Sequence, residues 1–445
     1  MFRTLPSPSI PSHPGHPRSF VSLVPFFLRS ILLLFGMTPL LGQSQSIAVA
    51  QRTTAPGRVA LGHERIRDIY TALGSGRAPV AVVANHTSVL FGDVPGRQPV
   101  HLVDTLLGLG VDVRKVFAPE HGFRGDMANG AHVADGTDEK TGLPVISLHG
   151  AHKKPTPEML ADVRAIVFDI QDVGARFYTY LSTLALVMEA AAEADKFVIV
   201  LDRPNPHGHH IAGPMREADM KSFVGHLPVP MVHGMTLGEM ALMINGEGWL
   251  GDGVQCDLAV MACRNYAHSD RWDPPVAPSP NLPTAEAIAL YPSLCLFEAT
   301  AVSVGRGTTQ PFEVIGYPGH GIGDFSFTPM PVEGAAPHPK HEGQACTGFD
   351  LHAAGTAALN GEVPSFQWEW LEDMFGQWVA EGRGAEAFFS SPGFFDKLAG
   401  TPAVREQLVA GGEVGSVWSE ALEALEAFDK QRQPYLLYPM QRNSP

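Results

Sequence analysis

The chain has 445 residues, 44% of them hydrophobic and 17% charged, which suffices for two domains with their own cores and excludes a disordered polymer. Its 31 Lys and Arg against 46 Asp and Glu give a formal charge of −15, and residues 1–50 hold only Arg3, Arg18 and Arg29 and no acid, so a chain without them carries −18. A surface of that sign repels phosphate backbones and anionic membranes, and no Lys or Arg cluster compensates, so nucleic acid is not an expected partner.

Arg18 and Arg29 precede an apolar run from Ile31 to Leu41, and Ala48-Val49-Ala50 has the small-x-small form of a cleavage site. The pattern predicts a signal peptide over 1–50, a mature chain starting near Gln51, and a periplasmic or secreted location. Gly36, Thr38 and Pro39 interrupt the run, which is too short to span a bilayer, so no stable membrane insertion is expected after cleavage. Four cysteines do not make a disulfide scaffold. Cys256 and Cys263 are close enough in sequence to pair in an oxidising compartment, whereas Cys295 and Cys346 sit among residues that read as buried.

From about 79 to 202 short β-rich runs alternate with helical stretches. The runs are Val80 to Ala84, Val111 to Ala118, Pro144 to Leu148, Ala165 to Ile170 and Phe197 to Leu201. Between them, His101 to Gly108 is followed by Leu109 and carries leucines at helical spacing. Thr156-Pro157-Glu158 offers an N-cap with Pro in the first helical position, and Leu181 to Ala194 is rich in Ala and Leu. Nearly continuous apolar strands alternating with helices predict a parallel sheet covered on both faces, a Rossmann-like α/β domain over 51–225. Residues 226–345 are rich in Pro and Gly and lack this rhythm. Helical patches follow at Val404 to Val409 and Val417 to Phe428, so a smaller α+β domain is expected over 226–445.

In an open parallel sheet the ligand binds beyond the carboxyl ends of the strands. There the sequence places Asn85 and His86 after the first run, and Glu120, His121 and Arg124 after the second. Asp169, Asp172, Arg176 and Tyr178 follow the fourth, and Asp202, Arg203 and Asn205 the fifth. Such a convergence of carboxylates, arginines, amides and His predicts one shared cleft. No GxGxxG follows the first strand and no P-loop is present, so no nucleotide cofactor is expected; Gly305-Arg306-Gly307 alone reads as a turn. The densest His group, His207-Gly208-His209-His210, is not accompanied by HExxH, and no metal is expected. Among chemistries open to paired carboxyl groups, glycoside hydrolysis needs a proton donor. Glu120 suits this best, set by Pro119 and flanked by His121 and Gly122, with Asp169 and Asp172 as candidate partners.

The runs NHT, APEHGFRG, TGLPVISLHG, FDIQDVGARFYTY, LDRPNP, HGMTLGE, SPNLPT, YPSLCLFEAT and SVGRGTTQPFE, with the terminal YLLY, resemble the DUF1343 family, which includes the exo-β-N-acetylmuramidases of NamZ type. The likeness runs from Val80 to Tyr438. It implies a Rossmann-like domain, a smaller C-terminal domain, an active cleft between them, and release of N-acetylmuramic acid (MurNAc) from the non-reducing end of peptidoglycan fragments. By motif, it implies Glu120 as catalytic carboxylate, with Asn85, His86, His121, Arg124, Asp169, Asp172, Arg176, Tyr178, Arg203, Asn205, Glu298, Arg306 and Glu313 lining or supporting the cleft. The family's FTPTFSK-like segment is replaced here by Phe327-Thr328-Pro329-Met330-Pro331, with Lys340 the nearest lysine.

The expected partners are therefore MurNAc-containing saccharides or muropeptides. A metal-dependent hydrolase or amidase of wall fragments and a non-catalytic muropeptide-binding protein are the competing readings. MurNAc differs from N-acetylglucosamine (GlcNAc) by an anionic 3-O-lactyl group, so a local cation is expected to select it, with Arg124 and Arg306 ranked ahead of Arg176 and Arg203.

Overall fold

The computed structural model describes residues 48–49, 57–91, 98–124, 135–319 and 322–442. Apart from Ala48–Val49, the expected signal segment and its cleavage junction lie outside the described residues. A sheet of eight strands forms the centre: β1 (Ala48–Val49), β2 (Val80–Ala84), β3 (Val113–Ala118), β4 (Gly136–Thr137), β5 (Pro144–Ser147), β6 (Ala165–Asp169), β7 (Phe197–Leu201) and β8 (Asp257–Met261). Their order is β1-β8-β7-β6-β2-β3-β5-β4, and every neighbouring pair is parallel except β4 with β5.

Strand β2, apolar at every position, shows why the inner strands are so largely apolar. Val80, Val82 and Ala84 pack with Leu102, Val103 and Leu106 of helix α1 (Leu102–Gly108), while Ala81 and Val83 face the core that holds Leu181 and Leu184 of helix α2 (Tyr180–Glu193). With side chains alternating between faces and helices on both, no position is left for a polar residue. Thr156 caps the short helix Pro157–Leu160 as its sequence predicts, its Oγ1 accepting from the Met159 N–H. From β2 the chain proceeds through β3 to β5 on one side, then returns to build β6, β7 and β8 on the other. The loops after β2, β3 and β6 therefore meet where the winding reverses, the place at which open α/β sheets take their ligands.

The strand and helix rhythm continues past residue 225. Helix α3 (Leu237–Gly246) and β8 extend the sheet, with Asp257 to Met261 paired in register with Phe197 to Leu201. The signal is obscured because residues 202–236 form loops, a short 3-10 turn and a two-stranded ribbon of Ala212–Met215 with Pro230–Val232 where a crossover helix would stand at once. Helix α3 begins at a reciprocal cap: Thr236 Oγ1 accepts from the Glu239 N–H, and Glu239 Oε2 accepts from the Thr236 N–H.

The α+β remainder contains helix α4 (Ala285–Leu294), an antiparallel sheet of Val314–Tyr317, Cys346–Asp350 and Phe325–Phe327, and the helices Glu369–Ala380, Pro392–Ala399, Ala403–Val409 and Val414–Arg432. Its Phe297, Ile315, Met374 and Phe395 share one continuous core with Val83, Phe168 and Val200 of the large sheet. All four cysteines are free and buried. The Cys256–Cys263 pairing that the sequence left open does not form, because the two flank opposite ends of β8 and an extended strand holds them roughly 20 Å apart. Among the described residues no helix is long and apolar enough to cross a membrane.

Candidate active site

The loop after β3 turns at Pro119-Glu120-His121-Gly122, where His121 and Gly122 adopt φ of 72° and 77°. Glycine accepts this region without penalty. A histidine held there at 3% exposure stores strain of order 1 kcal/mol, which the surrounding packing offsets. The Glu120 side chain is 14% exposed; its Oε2 accepts from Thr179 Oγ1 at 2.9 Å and lies 4.0 Å from His149 Nδ1. Its backbone oxygen accepts from the Tyr180 hydroxyl at 3.3 Å, and that hydroxyl accepts in turn from Asn85 Nδ2 at 2.8 Å. The segments after β2, β3 and β6 thus meet around Glu120, as the winding requires.

Glu120 opens into a cavity of ≈ 620 Å³, mouth included, shared with His121, Tyr178, Tyr291, Glu298 and Arg306. Two acids line it, and Glu298 is bound to Arg306 at 2.6 Å. Tyr178 and Tyr291 meet edge to face with centroids 5.8 Å apart and give the cavity an aromatic wall. Burial pulls the His121 imidazole down to about 4, so it is neutral at pH 7. Its Nδ1, like those of His86 and His149, is buried with no hydrogen-bond partner among the described residues. A separate, more apolar cavity borders Arg271, Trp272 and Ile288, but no carboxylate lines it, so it lacks a proton donor.

The other residues singled out in the sequence stand around this cavity and do not line it. Asp169 is fully buried between Arg203, whose Nε donates to its Oδ1 at 2.8 Å, and His63 at 3.2 Å. Burial opposes its ionisation, but the Arg203 guanidinium and His63 outweigh that and hold it below the usual carboxylate range. Arg203 also donates to the Thr87 carbonyl, so the pair ties the loops after β2, β6 and β7 together. Asp172 Oδ1 accepts from the Gly174 N–H at 2.6 Å, its Oδ2 is buried with no partner among the described residues, and burial raises its pKa to about 7. Neither aspartate joins Glu120 in the cavity.

The arginines separate just as sharply. Arg176 is buried and spends its guanidinium on backbone carbonyls, Nη1 donating to Pro214 and Val229 at 2.8 Å and Nη2 to Leu398 at 2.9 Å. Arg124, ranked with Arg306 from the sequence, grips Asp138 at 2.7 and 2.8 Å and Asp104 at 3.2 Å. Among the four candidates, Arg306 alone lines the cavity. Asn205 bridges the Met235 carbonyl and the His207 N–H, and Glu313 accepts from Thr284 Oγ1 and pairs with His352, so both are supports. His86 contacts the Ala277 carbonyl at 2.8 Å. His207, from the dense His group, contacts the Val173 carbonyl, and among the described residues no three metal-binding side chains converge.

The sequence reading missed Thr179, Tyr180 and His149 as site residues. Thr179 and Tyr180 lie in the FYTY run already at a strand end. His149 follows β5 in ISLHG, at the end of the third run, from which the sequence reading takes no site residue.

The family model for the N-terminal domain of exo-beta-N-acetylmuramidase NamZ matches residues 80–286, and that for its C-terminal domain matches residues 289–438. The peptidoglycan beta-N-acetylmuramidase NamZ of Bacillus subtilis (strain 168) is 39% identical over 351 residues, which are 74% of this chain and 80% of that protein. Two crystal structures of DUF1343 family proteins from Bacteroides fragilis NCTC 9343 match with TM-scores of 0.75 and 0.72 at 39% and 28% identity, each covering 86% of this chain and 99% of the other. The matches span the sheet, the Glu120 cavity and the α+β region alike, and this chain belongs to the DUF1343 family of NamZ-type exo-β-N-acetylmuramidases.

Proposed function

We propose that the protein is an exo-acting β-N-acetylmuramidase that releases MurNAc from the non-reducing end of peptidoglycan fragments, with Glu120 as proton donor. The observation that carries this is a sparsely exposed carboxyl group, oriented by a hydroxyl, at the floor of a cavity walled by Tyr178 and Tyr291. Membership of the family and the 39% identity to a peptidoglycan beta-N-acetylmuramidase support the same reading.

Glycosidic cleavage places positive charge on the anomeric carbon and negative charge on the departing oxygen. Glu120 gives its proton to that oxygen as the bond breaks, and Thr179 fixes the rotation of the carboxyl so that the transfer needs no reorganisation. Tyr180 and Asn85 hold the Glu120 backbone from below. The neutral His121 lines the cavity without adding a charge beside the forming cation. Glu298, the second acid of the cavity, is ion-paired to Arg306 at 2.6 Å in the unliganded protein. A wall-fragment substrate also fits export, with the mature chain starting near Gln51, which N-terminal sequencing of the extracytoplasmic protein would check.

The test is a chromogenic MurNAc glycoside with and without EDTA. The expected result is release of MurNAc that chelation leaves unchanged. Loss of activity on chelation, restored by zinc or manganese, would point instead to a metal-dependent hydrolase, and binding without release to a muropeptide-binding protein.

A further inference from the structure

Glu298 and Arg306 line the Glu120 cavity on one side and an adjoining open compartment of ≈ 850 Å³ on the other, walled by Val304 and by the segment from Ala335 to Lys340. Lys340 is fixed there. Its ammonium donates to the carbonyls of Phe297 and Val302 at 3.0 Å, of Glu298 at 3.4 Å, and of Thr300. Burial lowers its pKa only to about 8, so it remains mostly a cation at pH 7, and Arg306 and Lys340 outnumber the single carboxylate of Glu298. A local excess of positive charge in a chain of −15 is a specific feature, because the general field of the protein repels anions. The Arg306 guanidinium also lies 5.1 Å from the centroid of Phe312, which lines the Glu120 cavity, so its plane is set by packing as well as by Glu298.

We propose that Arg306, Glu298 and Lys340 form a carboxylate subsite that takes the 3-O-lactyl arm of MurNAc, the ligand's carboxylate replacing Glu298 on Arg306. This rests on the function proposed above and names how that site tells MurNAc from GlcNAc. The resident Glu298 carboxylate at 2.6 Å already shows that Arg306 binds a carboxylate in this position. Arg124, Arg176 and Arg203 are committed elsewhere, to acids or to backbone carbonyls, and do not reach the cavity. Arginine suits the task because its planar fork holds both oxygens of a carboxylate, which lysine cannot copy. The compartment behind the pair gives the displaced Glu298 side chain, or the arm itself, room beyond the sugar. No bond is made or broken; one ion pair is exchanged for another.

Calorimetric binding of three free sugars tests this without requiring turnover: MurNAc, its methyl ester, and GlcNAc. Wild-type protein is expected to bind the acid at least tenfold more tightly than the neutral ester or GlcNAc. Arg306→Met weakens MurNAc by about 10- to 100-fold, the loss of one charge-assisted bidentate contact, and brings it near the other two. Arg306→Lys falls between. Glu298→Gln acts in the opposite direction, tightening MurNAc severalfold because the resident competitor has lost its charge. That gain keeps the proposal open to refutation even if the Arg306 variants fold poorly. Equal affinity of wild-type protein for acid and ester, or equal weakening of all three sugars by Arg306→Met, would overturn the subsite. Failure of the enzymatic reading alone would look different: the binding pattern would persist while no MurNAc glycoside is cleaved.

Discussion

Replacing Glu120 by Gln removes the transferable proton and little else. The side chain keeps its length, and an amide oxygen can still accept from Thr179 Oγ1, now 2.9 Å from Glu120 Oε2. The group is 14% exposed and stands 4.0 Å from His149, too far for a strong ion pair, so the change in stability should stay within about 1 kcal/mol. Turnover of an unactivated MurNAc-GlcNAc disaccharide should fall by about 10² to 10⁴, the usual contribution of a positioned general acid. At about 1.36 kcal/mol per decade this is roughly 3 to 5 kcal/mol of barrier. The loss must depend on the leaving group. A dinitrophenyl MurNAc glycoside departs with little need of protonation, so its cleavage should remain close to the wild-type rate. Steady-state kinetics on both substrates measure this, and near wild-type turnover of the disaccharide would remove Glu120 from the mechanism.

Thr179→Val should lower kcat on the disaccharide about five- to fiftyfold with KM little changed, and Thr179→Ser should restore it, because the hydroxyl aims the acid; no difference between Val and Ser would show that the hydrogen bond is incidental. Arg176→Met leaves the carbonyls of Pro214, Val229 and Leu398 without their charged donor and should cost about 3 to 5 kcal/mol in urea denaturation, whereas an unchanged midpoint would refute a structural role. Asp172 has its pKa raised to about 7 by burial, so between the unfolded value near 4 and pH 7 the folded state binds more protons and stability falls as pH rises. Asp172→Asn, which can still accept from the Gly174 N–H, should therefore stabilise the protein at pH 8, by on the order of 4 kcal/mol, and much less at pH 4, as thermal melts at the two pH values would show.

The strands from Val80 to Leu201, and their placement in a sheet covered on both faces, were legible because burial on two sides favours nearly continuous apolar runs, and a local window carries that pattern. Glu120 was legible for a related reason: a carboxylate directly after such a strand stands at the edge where ligands bind. What lies around it was not. Asp169 and Arg203 occupy the same kind of strand end, yet the side chain of His63 arrives from 106 residues upstream of Asp169 to close them into a buried cluster. Arg306, which in sequence is a turn between two glycines, is brought to the Glu120 cavity by the packing of the α+β region on the large sheet, while Arg124, in the PEHGFRG motif itself, turns away to Asp138. Strand β8, which joins the sheet beside β7, was not legible beyond the expected boundary because loops without period over 202–236 interrupt the strand and helix rhythm before helix α3. Periodicity reports which face of an element is buried; which side chain finds a partner, and which stays available to a ligand, depends on contacts between distant segments that only the folded chain brings together.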